Sequence, residues 1–251
     1  MQSFLKKCCL FFFYWLFCIV AMAQKKVIHQ SLIWYGWYEN VELKKDISLT
    51  IELENRQFID PAFAQHQTLI RGHIHRFFDD KKWDVSAGMC LFVHSPNDPK
   101  ATNRLKVPEL RPHLETIYRL QIKQLLIEQR LRTEARFFHN TTDTRTDLEE
   151  GYQFNNFRLR YRCQFIFPLF KFNHHVNVKS KLNNEIHIHV GGKTQNSFDQ
   201  NRIYIGFLLE TSKKLSIDFG YLNWYQYQST NTFFNRNIFR LGINHKFNLQ
   251  P

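Results

Sequence analysis

Arginine and glutamate recur at every second position along several stretches of this chain. In LLIEQRLRTEARFF, residues 125 to 138, Glu128, Arg130, Arg132, Glu134 and Arg136 share one side of an extended strand. The other side carries Leu125, Ile127, Gln129, Leu131, Thr133, Ala135 and Phe137, because successive side chains of a strand point to opposite faces. Residues 157 to 165 repeat the device, with Arg158, Arg160, Arg162 and Gln164 opposite Phe157, Leu159, Tyr161, Cys163 and Phe165. Residues 109 to 122 set Glu109, Arg111, His113, Glu115, Arg119 and Gln121 against Leu110, Leu114, Tyr118, Leu120 and Ile122. Weaker copies run over 47 to 56, with Glu52, Glu54 and Arg56 on the charged side, and over 202 to 210, with Arg202.

The chemistry such rows offer is ion pairing or anion binding. A guanidinium presents a rigid fork of donors that matches a carboxylate on a neighbouring strand. Glu52, Glu54, Glu115, Glu128 and Glu134 are therefore expected to neutralise Arg130, Arg132, Arg158, Arg160 and Arg202, in a network that also takes in Arg119, Arg136 and Arg162. Unpaired buried charge is costly, so a structural ion-pair plug is the expected role. A basic constriction that selects anions is the sharper alternative.

Other candidates are weaker. His73 with His75, and His187 with His189, have the spacing that puts two rings on one face of a strand, but neither pair has a visible third ligand, so no metal site is expected. His174 and His175 are adjacent and would point apart. His94 and Ser95 stand together without a third triad member or a GxSxG elbow, which leaves no catalytic residue to assign and makes an enzyme the alternative reading. GGKT at 191 to 194 lacks the earlier glycine of a phosphate loop, its place being taken by His187. No cofactor is implied.

These rows must be positioned by elements that the rest of the chain describes. The start, MQSFLKK, is followed by 16 apolar residues from Cys8 to Ala23, with Ala21 and Ala23 placed for cleavage before Gln24. That layout reads as a secretory signal, residues 1 to 23, and falls short of the ~20 residues a spanning helix needs. Phe17 before Cys18 and Lys7 before Cys8 disfavour lipidation. Residues 24 to 251 then form one domain with 32 basic and 22 acidic residues, once Lys6 and Lys7 leave with the signal. In an exported protein this balance points to anionic lipid headgroups or anionic solutes, and not to nucleic acid. Only Cys90 and Cys163 remain, too few for a disulfide scaffold.

After the signal no long apolar run occurs. Alternation recurs in runs of ten to fifteen residues, about twice the ~5 to 6 of an ordinary strand and close to the ~9 to 11 of a transmembrane one. Candidate strands fall at 32 to 43, 46 to 57, 65 to 77, 82 to 93, 109 to 122, 124 to 138, 152 to 167, 177 to 190, 199 to 211, 214 to 227 and 233 to 248. Trp34, Tyr35, Trp37, Tyr38, Phe137, Phe138, Trp224 and Tyr225 lie near run ends, as interfacial girdles would. Connections alternate between tight and long, the tight ones expected on the periplasmic side. The fold expected is an all-β, antiparallel transmembrane barrel of 10–12 strands. Eleven is odd, and bacterial single-chain barrels are even, so one element is expected to be split or merged near residues 25 to 45. A soluble sandwich is the competing fold.

The EQR strand from Glu128, the RLRYR run at Arg158 to Arg162, QNRIYIGF at Gln200 to Phe207 and DFGYLNWYQ at Asp218 to Gln226 follow one another in an order that resembles the domain of unknown function 2490 family. The resemblance implies an exported outer-membrane barrel, with outer-membrane lipid and the barrel-assembly machinery as partners. It carries no activity. The chain departs from the usual terminal aromatic of such barrels, since Phe247 is followed by Asn248, Leu249, Gln250 and Pro251.

Overall fold

The computed structural model describes residues 25–61, 63–172, 176–192, 196–229 and 231–249. The expected signal, His174, His175, and Lys193 with Thr194 of the GGKT run lie outside the described residues. Eleven strands follow one another: β1 (Lys26–Lys44), β2 (Ile47–Phe58), β3 (Gln65–Phe78), β4 (Trp83–His94), β5 (Val107–Ile122), β6 (Leu125–Thr141), β7 (Leu148–Lys171), β8 (Asn177–Val190), β9 (Phe198–Glu210), β10 (Leu215–Ser229) and β11 (Thr232–Asn248). Each pairs with the next in antiparallel fashion, and β1 closes the barrel against β11.

The closure corrects two expectations. An odd number of up-and-down strands leaves the first and last pointing the same way, so they can join only in parallel. Lys26 to Glu42 accordingly pair in parallel with Thr232 to Asn248. Since β1 runs unbroken from Lys26 to Lys44 and also pairs with β2 from Leu32 to Lys44, nothing near residues 25 to 45 is split or merged, and the count of eleven needs no adjustment. Parallel pairing also separates the ends of the sheet. β1 begins at the end carrying the connections 59–64, 95–106, 142–147, 191–197 and 230–231, whereas β11 finishes at the end carrying 45–46, 79–82, 123–124, 172–176 and 211–214. Both ends of the seam are tied, by Lys26 N–H to Asn231 O at 2.8 Å and Leu249 N–H to Glu42 O at 3.2 Å. A closed sheet leaves no row of unpaired edge amides.

Alternation sorts the side chains as their spacing requires. Outward positions are mostly apolar and open, for example Ile74 at 57%, Leu114 at 63% and Ile205 at 56% exposure, while the alternate positions turn inward and are mostly polar. The aromatic pairs split between the two faces. Tyr35 and Trp37 lie outside, but Trp34 and Trp224 are buried inside, and Tyr38 turns inward to Glu54. Phe138 also turns inward, against His94 and Arg136, so the girdle expected of all eight aromatics fails for these four, because neighbours on a strand cannot share a face.

Trp34 and Trp224 join Leu32, Phe58, Tyr204, Leu222 and Ile238 in an internal apolar cluster. Backbone space matters beside it. Gly206 and Gly220 face each other across β9 and β10, and a Cβ at Gly206 would meet the Tyr204 hydroxyl. That hydroxyl is thereby free to donate to Asp218.

In a background with Cys90 and Cys163 changed to alanine, Ser31→Cys with Asn237→Cys, register partners on the outer face of the seam, is expected to cross-link under mild oxidation. Ser31→Cys with Asn223→Cys, one strand farther round, should not. Equal cross-linking of both pairs on non-reducing gels would refute the closure.

Candidate functional site

The inward charges form a lattice along β5 to β8. Strand register first sets them in conflict, since Arg130 opposes Arg162 and Arg132 opposes Arg160 across β6 and β7. Like charges directly opposite are destabilising, so the carboxylates interleave with them, some from directly opposite, as Glu115 to Arg132 and Glu134 to Arg158, and others along a diagonal, as Glu134 to Arg160. Glu134 accepts from Arg158 at 2.5 Å and Arg160 at 2.7 Å, with Arg132 at 3.8 Å. Glu115 holds Arg132 at 2.5 Å and Arg130 at 3.5 Å, and Glu185 holds Arg130 at 2.6 Å and Arg160 at 2.8 Å. Glu109, wholly buried, takes Arg111 at 2.5 Å, Arg136 at 2.6 Å and His94 at 2.6 Å. Arg119 bridges Glu128 at 3.0 Å and Asp84 at 3.1 Å.

Nine of the eleven charges expected in one network are joined in this way, and two are not. Arg162 and Arg202 have no carboxylate within 4.0 Å among the described residues, and the Nε of each is buried without a hydrogen-bond partner. Arg202 instead lies over the rings of Trp224 at 4.8 Å and Trp34 at 5.2 Å. The expectation that a glutamate neutralises Arg202 is thus corrected. Its facing glutamate, Glu185, is already engaged.

Several participants were missed in the sequence. Asp199, Asp218 and Glu185 sit on strands whose alternation is blurred by polar residues on both faces, and Asp84 on one whose inner face also carries Cys90 and Phe92. For Glu185 the signal was the histidine pair, since it precedes His187 by two residues and so shares its face.

A second layer crosses the interior nearer the 95–106 connection. Arg56 lies 3.9 Å over the Trp34 ring, and Arg236, fully buried, lies 4.3 Å over Trp224. Asn97 of that connection reaches inward to four strands. It accepts from Gln30 on β1 at 2.7 Å and from Arg236 on β11 at 3.0 Å, lies 3.4 Å from His66 on β3, and donates to Gln228 on β10 at 3.1 Å. Below this layer lies a cavity of about 340 Å³, bounded by Trp34, Arg56 and Leu222 on one side and running out to Asn40, Ser48 and Asn244 toward the tight connections.

The histidines among the remaining candidates contact carboxylates. His73 stacks near His75 and His113 at 4.5 and 5.5 Å between ring centroids, yet no group of three or more His, Cys, Asp or Glu is arranged to hold a metal among the described residues. The rings are held by acids instead, His73 by Glu52 at 3.1 Å and His75 by Asp84 at 2.8 Å. His94 points at Glu109, and the Ser95 backbone N–H donates to His66 O. Cys90 and Cys163 are both free.

A closed β-barrel with an ionic interior and an apolar exterior is the class that the fold and this lattice define. Residues 32–235 match the model of a protein family of unknown function, DUF2490, and the chain belongs to that family. No curated protein and no solved structure matches it.

Glu134→Gln leaves Arg158 and Arg160 short of their shared acceptor and is expected to cost about 3–5 kcal/mol in equilibrium unfolding. Adding Arg158→Gln should restore part of that loss, with a coupling of ~1 kcal/mol or more. Strictly additive effects would show that the pair does not interact.

Proposed function

We propose that this chain is an exported outer-membrane barrel, delivered by the signal in residues 1 to 23, that acts as a non-enzymatic structural or binding component with a lumen obstructed by its own side chains. The observation that carries the reading is the inversion of the two faces. Ile74, Leu114 and Ile205 stand more than half exposed on the outside, while Glu109, Arg132 and Arg236 are almost wholly buried inside. A protein dissolved in water rarely shows an apolar surface on this scale. Lipid around the barrel accounts for it, and strands of 12 to 24 residues are long enough to cross the ~9 to 11-residue span of a membrane strand.

The tight connections belong on the periplasmic side in this reading, as in outer-membrane barrels generally. Obstruction is supported by the Trp and Arg layer and by Asn97 above it. An anion-selective pore would need a continuous polar path through that layer. Lipid chemistry would need a nucleophile beside His94, where Glu109 stands instead. Outer-membrane lipid, the barrel-assembly machinery and anionic headgroups or solutes are the partners proposed.

Three outcomes are expected. The chain should fractionate with outer membranes and require detergent for release, and recovery in the soluble periplasm would end the membrane reading. Purified protein in planar bilayers should give no steady single-channel conductance. The outer-leaflet lipid profile should be the same in cells carrying His94→Ala with Ser95→Ala, and a change would favour a lipid-modifying enzyme.

A further inference from the structure

Eleven arginines contribute to the wall of the 340 Å³ cavity, against five carboxylates. Nine of the arginines are answered by a carboxylate within 4.0 Å, several of them from just behind the wall. Arg162 and Arg202 are the two that are not.

Their positions are related. Glu185 on β8 pairs in register with Arg162 on β7 and with Arg202 on β9, so the three residues form one rung. Strands lie ~4.8 Å apart, which sets the two arginine backbones about 10 Å from one another. The carboxylate between them turns away to Arg130 and Arg160. Both guanidiniums line the cavity with a buried, unpartnered Nε–H. Water can satisfy the donors but not the charge, whereas a tetrahedral or planar oxyanion satisfies both through the guanidinium forks.

We propose that Arg162 and Arg202 form the seat of a small soluble phosphate compound held in this cavity. The inference rests on the reading of an obstructed lumen in one respect, since a cavity closed toward the Trp34 side retains a guest and does not pass it through. The cavity lies inside the barrel, away from the outer wall, which favours a soluble anion over a lipid headgroup of the same chemistry. At this volume the guest can be larger than inorganic phosphate.

The test uses the full-length mature chain in a neutral detergent. Inorganic phosphate should raise the melting temperature of the wild type beyond chloride at equal ionic strength. Its affinity by calorimetry should fall about tenfold or more in Arg162→Gln/Arg202→Gln. The double variant without phosphate should melt no lower than the wild type, because neither arginine has a carboxylate within 4.0 Å to lose among the described residues. As a readout that needs no variant, phosphate should slow phenylglyoxal modification of Arg162 and Arg202 while leaving Arg145 in the 142–147 connection unaffected.

Absence of a phosphate effect beyond chloride, undiminished affinity in the double variant, or unprotected Arg162 and Arg202 would overturn the seat. So would binding of a short-chain phosphatidylglycerol without binding of phosphate. Steady conductance with phosphate binding intact would instead refute the obstructed lumen and leave the seat standing.

Discussion

Glu109, Glu115, Glu134 and Glu185 each hold two arginines inside a closed sheet, and the rest of the molecule is arranged around that sharing. A single buried guanidinium loses its hydration and recovers it only through close, well-directed acceptors. Here the acceptors are fewer than the cations, so each of these carboxylates serves more than one arginine. This explains why the like-charged rungs Arg130 with Arg162 and Arg132 with Arg160 are tolerated, since the opposing residues do not bond to each other. It also explains why the apolar residues are outside. With the interior given to charge, only the outer face remains for Leu, Ile and Phe.

Closure and charge depend on one another. The lattice requires a sheet with an inside, and that inside exists because β1 and β11 join in parallel. An even number of strands would have allowed an antiparallel seam and brought the first and last strand ends to the same rim. Eleven strands put the start of β1 at the rim of the longer connections and the end of β11 at the other. The interior is then graded along its axis: a Trp and Arg layer toward the first rim, and below it the ion lattice, whose Arg130, Arg132, Arg160 and Glu185 line the cavity that runs out toward the second.

The residues Arg56, Arg202 and Arg236 belong to the first of these zones, where guanidiniums rest on indole and phenyl faces. Cation–π contact is directed at a ring and not at a carboxylate, so it neutralises nothing. Arg56 also pairs with Glu54 at 2.7 Å, whereas Arg202 and Arg236 have no carboxylate within 4.0 Å among the described residues.

What the sequence by itself determined is the set of strands and the face of each residue. All eleven segments were legible, with the largest boundary differences at β1, which starts at Lys26 and not 32, and at β7, which runs Leu148–Lys171 and not 152–167. The inward set around Glu128 to Arg136 and Arg158 to Arg162 followed from the same signal. Alternation is a local property with a period of two, which each strand states without reference to its neighbours. The tertiary structure alone decided the parallel seam, the inward turn of Trp34 and Trp224, the role of Glu185 and Asp84, and which arginines lack an acid. Those depend on register between strands and on the diagonal reach of long side chains. Arg162 and Arg160 look alike in RLRYR, and the engagement of Glu185 with Arg130 and Arg160 leaves Arg162 with no carboxylate within 4.0 Å among the described residues.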